Sequence, residues 1–232
     1  MTLTVPPPAP GRPRRRRRLR RLLLVVVLVA VGAAVYLANP GHVFGDPVSP
    51  LRQRIMSIAE SQVGYRTDPS DTYCNRYSAY WSSGTDDCGN ENLDEEWCAD
   101  FAAWVWQQAG AAVVYRFQPG DLNSDTASFY LWGVDHGTWH PLSSGYVAQP
   151  GDVAIYGLDA STLEAVHVAI VVSDSAGAKG PDVVNGDGDR TGFSEVDYAT
   201  DQHRADVRQP GGILSGYVSP TAPPTVGGAG SG

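Results

Sequence analysis

Apolar positions along the chain fall into three regimes. The first is one uncharged run, LLLVVVLVAVGAAVYLA, beginning at Leu22 and ending at Ala38. It is apolar on every face. A helix of that length would span about 25 Å, the short end of what crosses a bilayer. The second regime is helical. Ser49 and Pro50 offer an N-cap and a first-turn proline, Ile55, Met56, Ala59 and Val63 follow at helical spacing, and Gly64 can end the helix. Residues 73–81 predict a second, short helix. Residues 97–108 predict a third, with Trp97, Phe101, Trp104, Val105 and Gln108 on its stripe and Gly110 closing it. Residues 127–132 predict a fourth. The third regime is one of short, β-branched runs punctuated by Gly and Pro, at 152–156, 166–173, 183–185 and 212–218. Helices first and strands afterwards predict an α+β domain, with the helices packed on one antiparallel sheet.

Charge changes the picture at the N-terminus. The chain of 232 residues has a formal net charge of −8, but residues 1–39 hold eight Arg and no acid. Residues 40–232 therefore carry nine of the 17 basic residues and all 25 acidic ones, a formal −16. Such a body repels phosphates, which excludes nucleic acid as its partner. The Arg block (Arg12, Arg14 to Arg18, Arg20, Arg21) lies immediately before the apolar run. By the positive-inside rule it keeps the N-terminus cytoplasmic and sends the rest outward. The expected organisation is a cytoplasmic segment 1–21, a transmembrane signal anchor 22–38, a linker 39–50, one domain 51–218 and a disordered tail 219–232. Gly32-Ala33-Ala34 leaves cleavage, and so secretion, as the alternative to an anchor.

Three cysteines are too few for a disulfide scaffold, and an odd one needs a role. Cys74 and Cys88 stand 14 apart in a polar stretch. A bridge between them suits an oxidising setting and would contribute roughly 3 kcal/mol by loop entropy. Cys98 opens the third helix, in Glu-Glu-Trp-Cys-Ala-Asp-Phe, where the helix N-terminus favours thiolate. The plainer alternative is an inert buried thiol. A nucleophilic Cys needs a base. His42 falls in the linker, and His136, His140 and His203 lie among turn-like or polar residues and are expected to face solvent. His167 differs, because it interrupts the core-like run Ala-Val-His-Val-Ala-Ile-Val-Val. Asn185, in Val-Val-Asn-Gly-Asp, is the candidate to orient the imidazole. Its plainer alternative is an Asn-Gly turn.

Helix-borne Cys, strand-borne His and a polar residue on the next strand resemble the CHAP amidase/peptidase family, related to NlpC/P60 and papain-like. The matching segments are 58–65, the nucleophile helix at 97–101, the Pro-Gly-Asp turn at 149–153 and the histidine strand at 167–171; together they span about 51–218. The resemblance implies Cys98 as nucleophile, His167 as general base and Asn185 as orienter. Many members have Glu-Gly-Asn where this chain has Asn185-Gly186-Asp187, so Asp187 is retained as a further catalytic candidate. Asp152 reads as structural. The implied activity is hydrolysis of peptidoglycan amide bonds, as an amidase or a peptide endopeptidase, with stem or cross-bridge peptides as substrate and no required cofactor. Asp86, Asp87, Asn90, Asn92, Asp94 and Glu95 form an acidic loop whose oxygens suit calcium, and a solvated loop is the plainer alternative. Asn185, Asp187 and Asp189 start like an EF-hand loop, which fails at Arg190 and Val196. The competing readings are a catalytically silent CHAP module that binds wall peptides and a thiol-based redox sensor.

Overall fold

The computed structural model describes residues 48–68, 74–83, 96–173, 180–188, 194–202 and 212–223. The chain divides into two units, Met1–Pro47 and Val48–Gly232, and every described residue belongs to the second. The apolar run 22–38 lies outside the described residues. Among those described, no helix is long and apolar enough to cross a membrane.

Helix α1, Pro50–Ser61, starts as expected, with Ser49 Oγ accepting from the Arg52 N–H and Pro50 in the first turn. Helix α2, Arg76–Trp81, is shorter than the sequence predicts. The side chain of Asn75 accepts from the N–H groups of Tyr77 and Ser78, both at 2.9 Å, and so fixes the start there. Helix α3 is Cys98–Ala109 and ends at Gly110 in the left-handed region, φ 88°. Helix α4 is Ser128–Asp135.

Six strands follow: β1 Trp139–Pro141, β2 Val153–Tyr156, β3 His167–Ser173, β4 Asp182–Gly188, β5 Glu195–Ala199 and β6 Leu214–Val218. They form one sheet in the order β1-β6-β2-β3-β4-β5, antiparallel in every pairing. The α+β class and the antiparallel sheet agree with expectation. β1 and β5 were not expected. β1 is only Trp-His-Pro, and β5 is Glu-Val-Asp-Tyr-Ala, in which acids occupy positions that a half-buried strand gives to apolar residues. Asn185 and Gly186 lie inside β4 and form no tight turn.

Alternation along the strands makes two cores. Val153, Ile155, Val168, Ile170, Val184, Val196 and Val218 join Ile55, Phe101, Val105, Trp106 and Trp132 of the helices in one cluster. Ala154, Tyr156, Ala169, Val171, Val183, Leu214 and Tyr217 form a second. Asp152, fully buried, ties the layers together. Its carboxylate accepts from Arg52 Nη1 (2.7 Å), Tyr146 Oη (2.9 Å), the Gln149 N–H (2.7 Å) and Ser219 Oγ (2.8 Å). This is the structural role expected of the Pro-Gly-Asp turn. His140, expected in solvent, is instead half-buried in β1 and stacks on Tyr146 at 3.7 Å, because β1 pairs with β6 and brings it over the second core.

Candidate active site

The site forms where the start of α3 meets β3 and β4. Cys98 is the first residue of α3 and only 2% exposed. Its Sγ lies 3.8 Å from Thr126 Oγ1 and beside the backbone N–H of Val168, the residue after His167. Cys98 is the free thiol among the described residues. Cys74 is disulfide-bonded, and its expected partner Cys88 lies outside the described residues.

Gly186 lets the helix approach the sheet this closely. A Cβ there would stand 2.4 Å from Phe101 Cβ and 2.6 Å from Phe101 Cγ. Phe101 is one turn after Cys98, so β4 presses directly against the start of α3. Next along β4, Asp187 adopts φ 55° and turns its carboxylate to that helix. It accepts from the Trp97 N–H at 3.4 Å and from Ser194 Oγ at 2.6 Å, while Trp97 Nε1 donates to Ser194 Oγ at 2.8 Å. This ring replaces the side-chain cap that the helix start otherwise lacks. Asp187 therefore holds Trp97, the residue before Cys98, and Asn185 is the residue bonded to the imidazole.

His167 opens β3, is 2% exposed, and shares an Nε2···Oδ1 hydrogen bond of 3.0 Å with Asn185. Asn185 Nδ2 in turn donates to Asp197 Oδ1 at 2.7 Å. Of the three expected residues, the structure joins His167 and Asn185, and it sets the Cys98 sulfur against the backbone N–H of Val168. No hydrogen bond links thiol to imidazole among the described residues.

Burial governs the protonation of both groups. It pushes the Cys98 thiol up to about 12, and the nearby acids Asp187 and Glu96 push the same way, against the Val168 N–H and the Thr126 hydroxyl. Burial also lowers His167 to about 4, against the bond to Asn185. The expectation that the helix N-terminus favours thiolate is corrected here. Desolvation of a fully enclosed sulfur outweighs the partial charge of the helix end, and the resting pair is neutral.

Asp100, two residues after Cys98, is fully buried and also raised by burial. Ser83 Oγ donates to it at 2.6 Å, Tyr115 Oη also donates, and the Asp100 carbonyl accepts from Trp81 Nε1 at 3.0 Å. It anchors α3 to α2.

Sequence reasoning missed Thr126, Ser194 and Asp197. Thr126 sits in an irregular segment before α4. Ser194 and Asp197 belong to the unrecognised β5 and its approach. The acidic loop 84–95, Asp189 and Arg190 lie outside the described residues; among those described, no cluster of three His, Cys, Asp or Glu side chains is placed to hold a metal.

A family model for the CHAP domain matches residues 89–184, a span that includes α3 and β3 and reaches β4. No curated protein and no solved structure matches.

Proposed function

The chain carries a CHAP domain, and from that premise we propose that it is a cysteine amidase or endopeptidase that hydrolyses amide bonds in peptidoglycan. The single observation that carries the proposal is the His167–Asn185 bond of 3.0 Å, with the Cys98 thiol at the start of α3 held against the backbone N–H of Val168, the residue after His167. Nε2 is engaged with Asn185, which leaves Nδ1 for the thiol.

In the proposed reaction, His167 Nδ1 takes the Cys98 proton as sulfur attacks the amide carbonyl. A C–S bond forms, and the carbonyl oxygen becomes an oxyanion. The N–H groups at the start of α3, Cys98 among them, point along the helix axis toward that charge and stabilise it. The protonated imidazole then gives its proton to the leaving amine as the C–N bond breaks. Water attacks the thioester, and His167 takes a proton from it. The acyl group leaves as a carboxylic acid and the thiol is restored. No cofactor enters the scheme. Because the resting thiol and imidazole are neutral, the proton moves as the C–S bond forms.

We further propose that the segment from Leu22 to Ala38 anchors the chain in the cell membrane, with the N-terminus cytoplasmic and the domain outside. The body of formal charge −16 has no electrostatic attraction to an anionic wall. The anchor supplies proximity to the substrate in its place.

The test is incubation of the full-length chain with purified peptidoglycan, followed by mass analysis of the released fragments. New amine and carboxyl ends are expected, and they identify the bond cut. A folded wild-type chain that releases no fragments overturns the hydrolase reading in favour of a silent binding module. Cleavage that survives Cys98→Ala overturns the assigned nucleophile.

A further inference from the structure

We propose that Asp197 is a positioning residue of this site: it holds the Asn185 amide carbonyl-first toward His167 and thereby selects the imidazole tautomer protonated on Nε2. The proposal rests on the hydrolase reading for its functional meaning and on geometry for everything else.

β4 and β5 pair antiparallel with Asn185 directly opposite Asp197. Residues opposite one another in such a pair project to the same face. Both are buried, Asn185 at 2% and Asp197 at 6% exposure. Asn185 Nδ2 donates to Asp197 Oδ1 at 2.7 Å, and Asn185 Oδ1 faces His167 Nε2 at 3.0 Å. An amide has one accepting end and one donating end, whereas an ionised carboxylate only accepts. A flipped Asn185 would set its oxygen against the carboxylate oxygen at hydrogen-bond distance. The amide is therefore locked with its NH₂ toward Asp197 and its carbonyl toward the imidazole. A carbonyl can only accept, so Nε2 must carry the hydrogen and Nδ1 keeps the lone pair. That lone pair is what a general base requires, and the hydrogen bond at the far nitrogen fixes which nitrogen has it.

The backbone makes room for this acid. A Cβ at Gly188 would stand 2.7 Å from Asp197 Cγ and 2.8 Å from Oδ2. Any larger residue at 188 would displace the carboxylate. The arrangement also accounts for Asn at position 185, where the resemblance leads one to expect Glu. A second carboxylate at 185 would oppose Asp197 across the strand pair, and two buried acids that close cannot both ionise. In this chain the acid stands one strand further out, and the amide carries its influence inward.

The experiment uses the full-length chain with ¹⁵N-labelled histidine. Ring-nitrogen shifts of His167 report its tautomer, with His167→Gln identifying the signal. The wild type is expected to show a protonated Nε2 and an unprotonated Nδ1. Asp197→Ala and the near-isosteric Asp197→Asn remove the one-way acceptor, and both are expected to give mixed tautomers. In turnover on peptidoglycan fragments, kcat should fall about 10–100-fold, as when the outer partner of a metal-bound histidine is removed, with KM within about twofold. The two variants keep this falsifiable if alanine at 197 prevents folding. Asn185→Asp alone should lose activity. The exchange Asn185→Asp with Asp197→Asn rebuilds an acceptor toward Nε2 and a donor behind it, so it should recover the Nε2-protonated tautomer and most of the lost kcat. An unchanged tautomer and kcat in folded Asp197→Asn overturns the proposal, as does an exchange variant no better than either single one. The tautomer reading does not depend on turnover. If the wild type cuts no peptidoglycan, the hydrolase reading fails while the Asp197 relay is still judged by its shifts.

Discussion

Gly186→Ala tests how closely β4 must approach α3, the helix that Cys98 opens. The added Cβ would lie 2.4 Å from Phe101 Cβ, 2.6 Å from Cγ and 2.8 Å from Cδ1. Ordinary carbon contacts begin near 3.5 Å, so the strand and helix must separate by roughly 1 Å. Phe101 has no room to give way, since it is fully buried and its ring meets Tyr77 edge-on at 5.0 Å and Trp97 at 6.4 Å. Overpacking of this kind costs about 1–3 kcal/mol. For a domain of this size each kcal/mol lowers Tm by about 2–4 °C, so a fall of roughly 2–12 °C is expected by calorimetry. The separation falls between Cys98 on α3 and Asn185 on β4. A misplacement of about 1 Å can cost on the order of 100-fold in rate, so kcat should drop far more than this modest loss of stability would suggest. Phe101→Ala in the same chain removes the Cγ and Cδ1 contacts but keeps the Cβ contact, so the double variant should be less destabilised than the sum of the two singles and still less stable than Phe101→Ala alone. A Gly186→Ala chain that melts within about 1 °C of wild type with unchanged kcat refutes the close-approach argument.

Three further outcomes follow from the same structure. Asp152→Asn keeps the shape but leaves Arg52 facing a neutral amide in a buried site where four donors converge; a loss of about 3–5 kcal/mol is expected in denaturant titration, and one below about 1 kcal/mol would refute the load placed on that carboxylate. His167 is held at about 4 in the folded chain against 6.5 in a free imidazole, so the unfolded chain takes up a proton first as pH falls. Stability from keeping the ring neutral is therefore intact above about 6.5 and is lost as pH falls from there to about 4, by on the order of 3 kcal/mol. His167→Gln should flatten that part of the Tm–pH curve, and superimposable curves would refute the assignment. With Cys98 raised to about 12, its thiolate at pH 8 is scarce, and even after allowing for the greater nucleophilicity of a basic thiolate, iodoacetamide should label it about 10–100-fold more slowly in the native than in the unfolded chain. Equal rates by mass spectrometry would show that the thiol is not enclosed.

The parts of this site that were legible in the sequence are those whose signal is local. α3 declared itself through the helical stripe from Trp97 to Gln108 and the Gly110 stop, and β3 through an apolar run with one misfit, His167. Asn185 was legible as the polar residue on the next run. β5 was not, because its logic is long-range. Glu195 is buried only because Arg66, 129 positions earlier, pairs with it at 2.8 Å. Asp197 is buried because it meets Asn185 across the sheet. A strand whose buried positions are acids looks like a loop until its partners are known. The alternation of Glu195, Val196, Asp197 and Tyr198 was the one available signal, a period of two in which Val196 enters the helix-side core and the two acids are buried on the other phase. The protonation of Cys98 was illegible for a related reason. Position on a helix can be read from sequence, whereas enclosure depends on Thr126, Val168 and the sheet closing over the helix start.

These long-range features bear on how the site works. Enclosure suppresses the ionisation of the thiol and of the imidazole alike, so the resting domain holds little reactive thiolate. The structure spends its polar residues instead on orientation. Asp187, Ser194 and the Trp97 indole fix the residue before Cys98, while Asp197 and Asn185 orient His167. Both sets reach the site through β4 and β5, and Gly186 and Gly188 let those strands come close enough to do so. In a site built this way, reactivity depends less on a low thiol pKa than on a substrate carbonyl arriving where proton transfer and attack can proceed together. Substitutions that shift β4 should therefore reduce turnover before they unfold the domain, because catalysis needs α3, β3 and β4 in register and folding tolerates a looser fit.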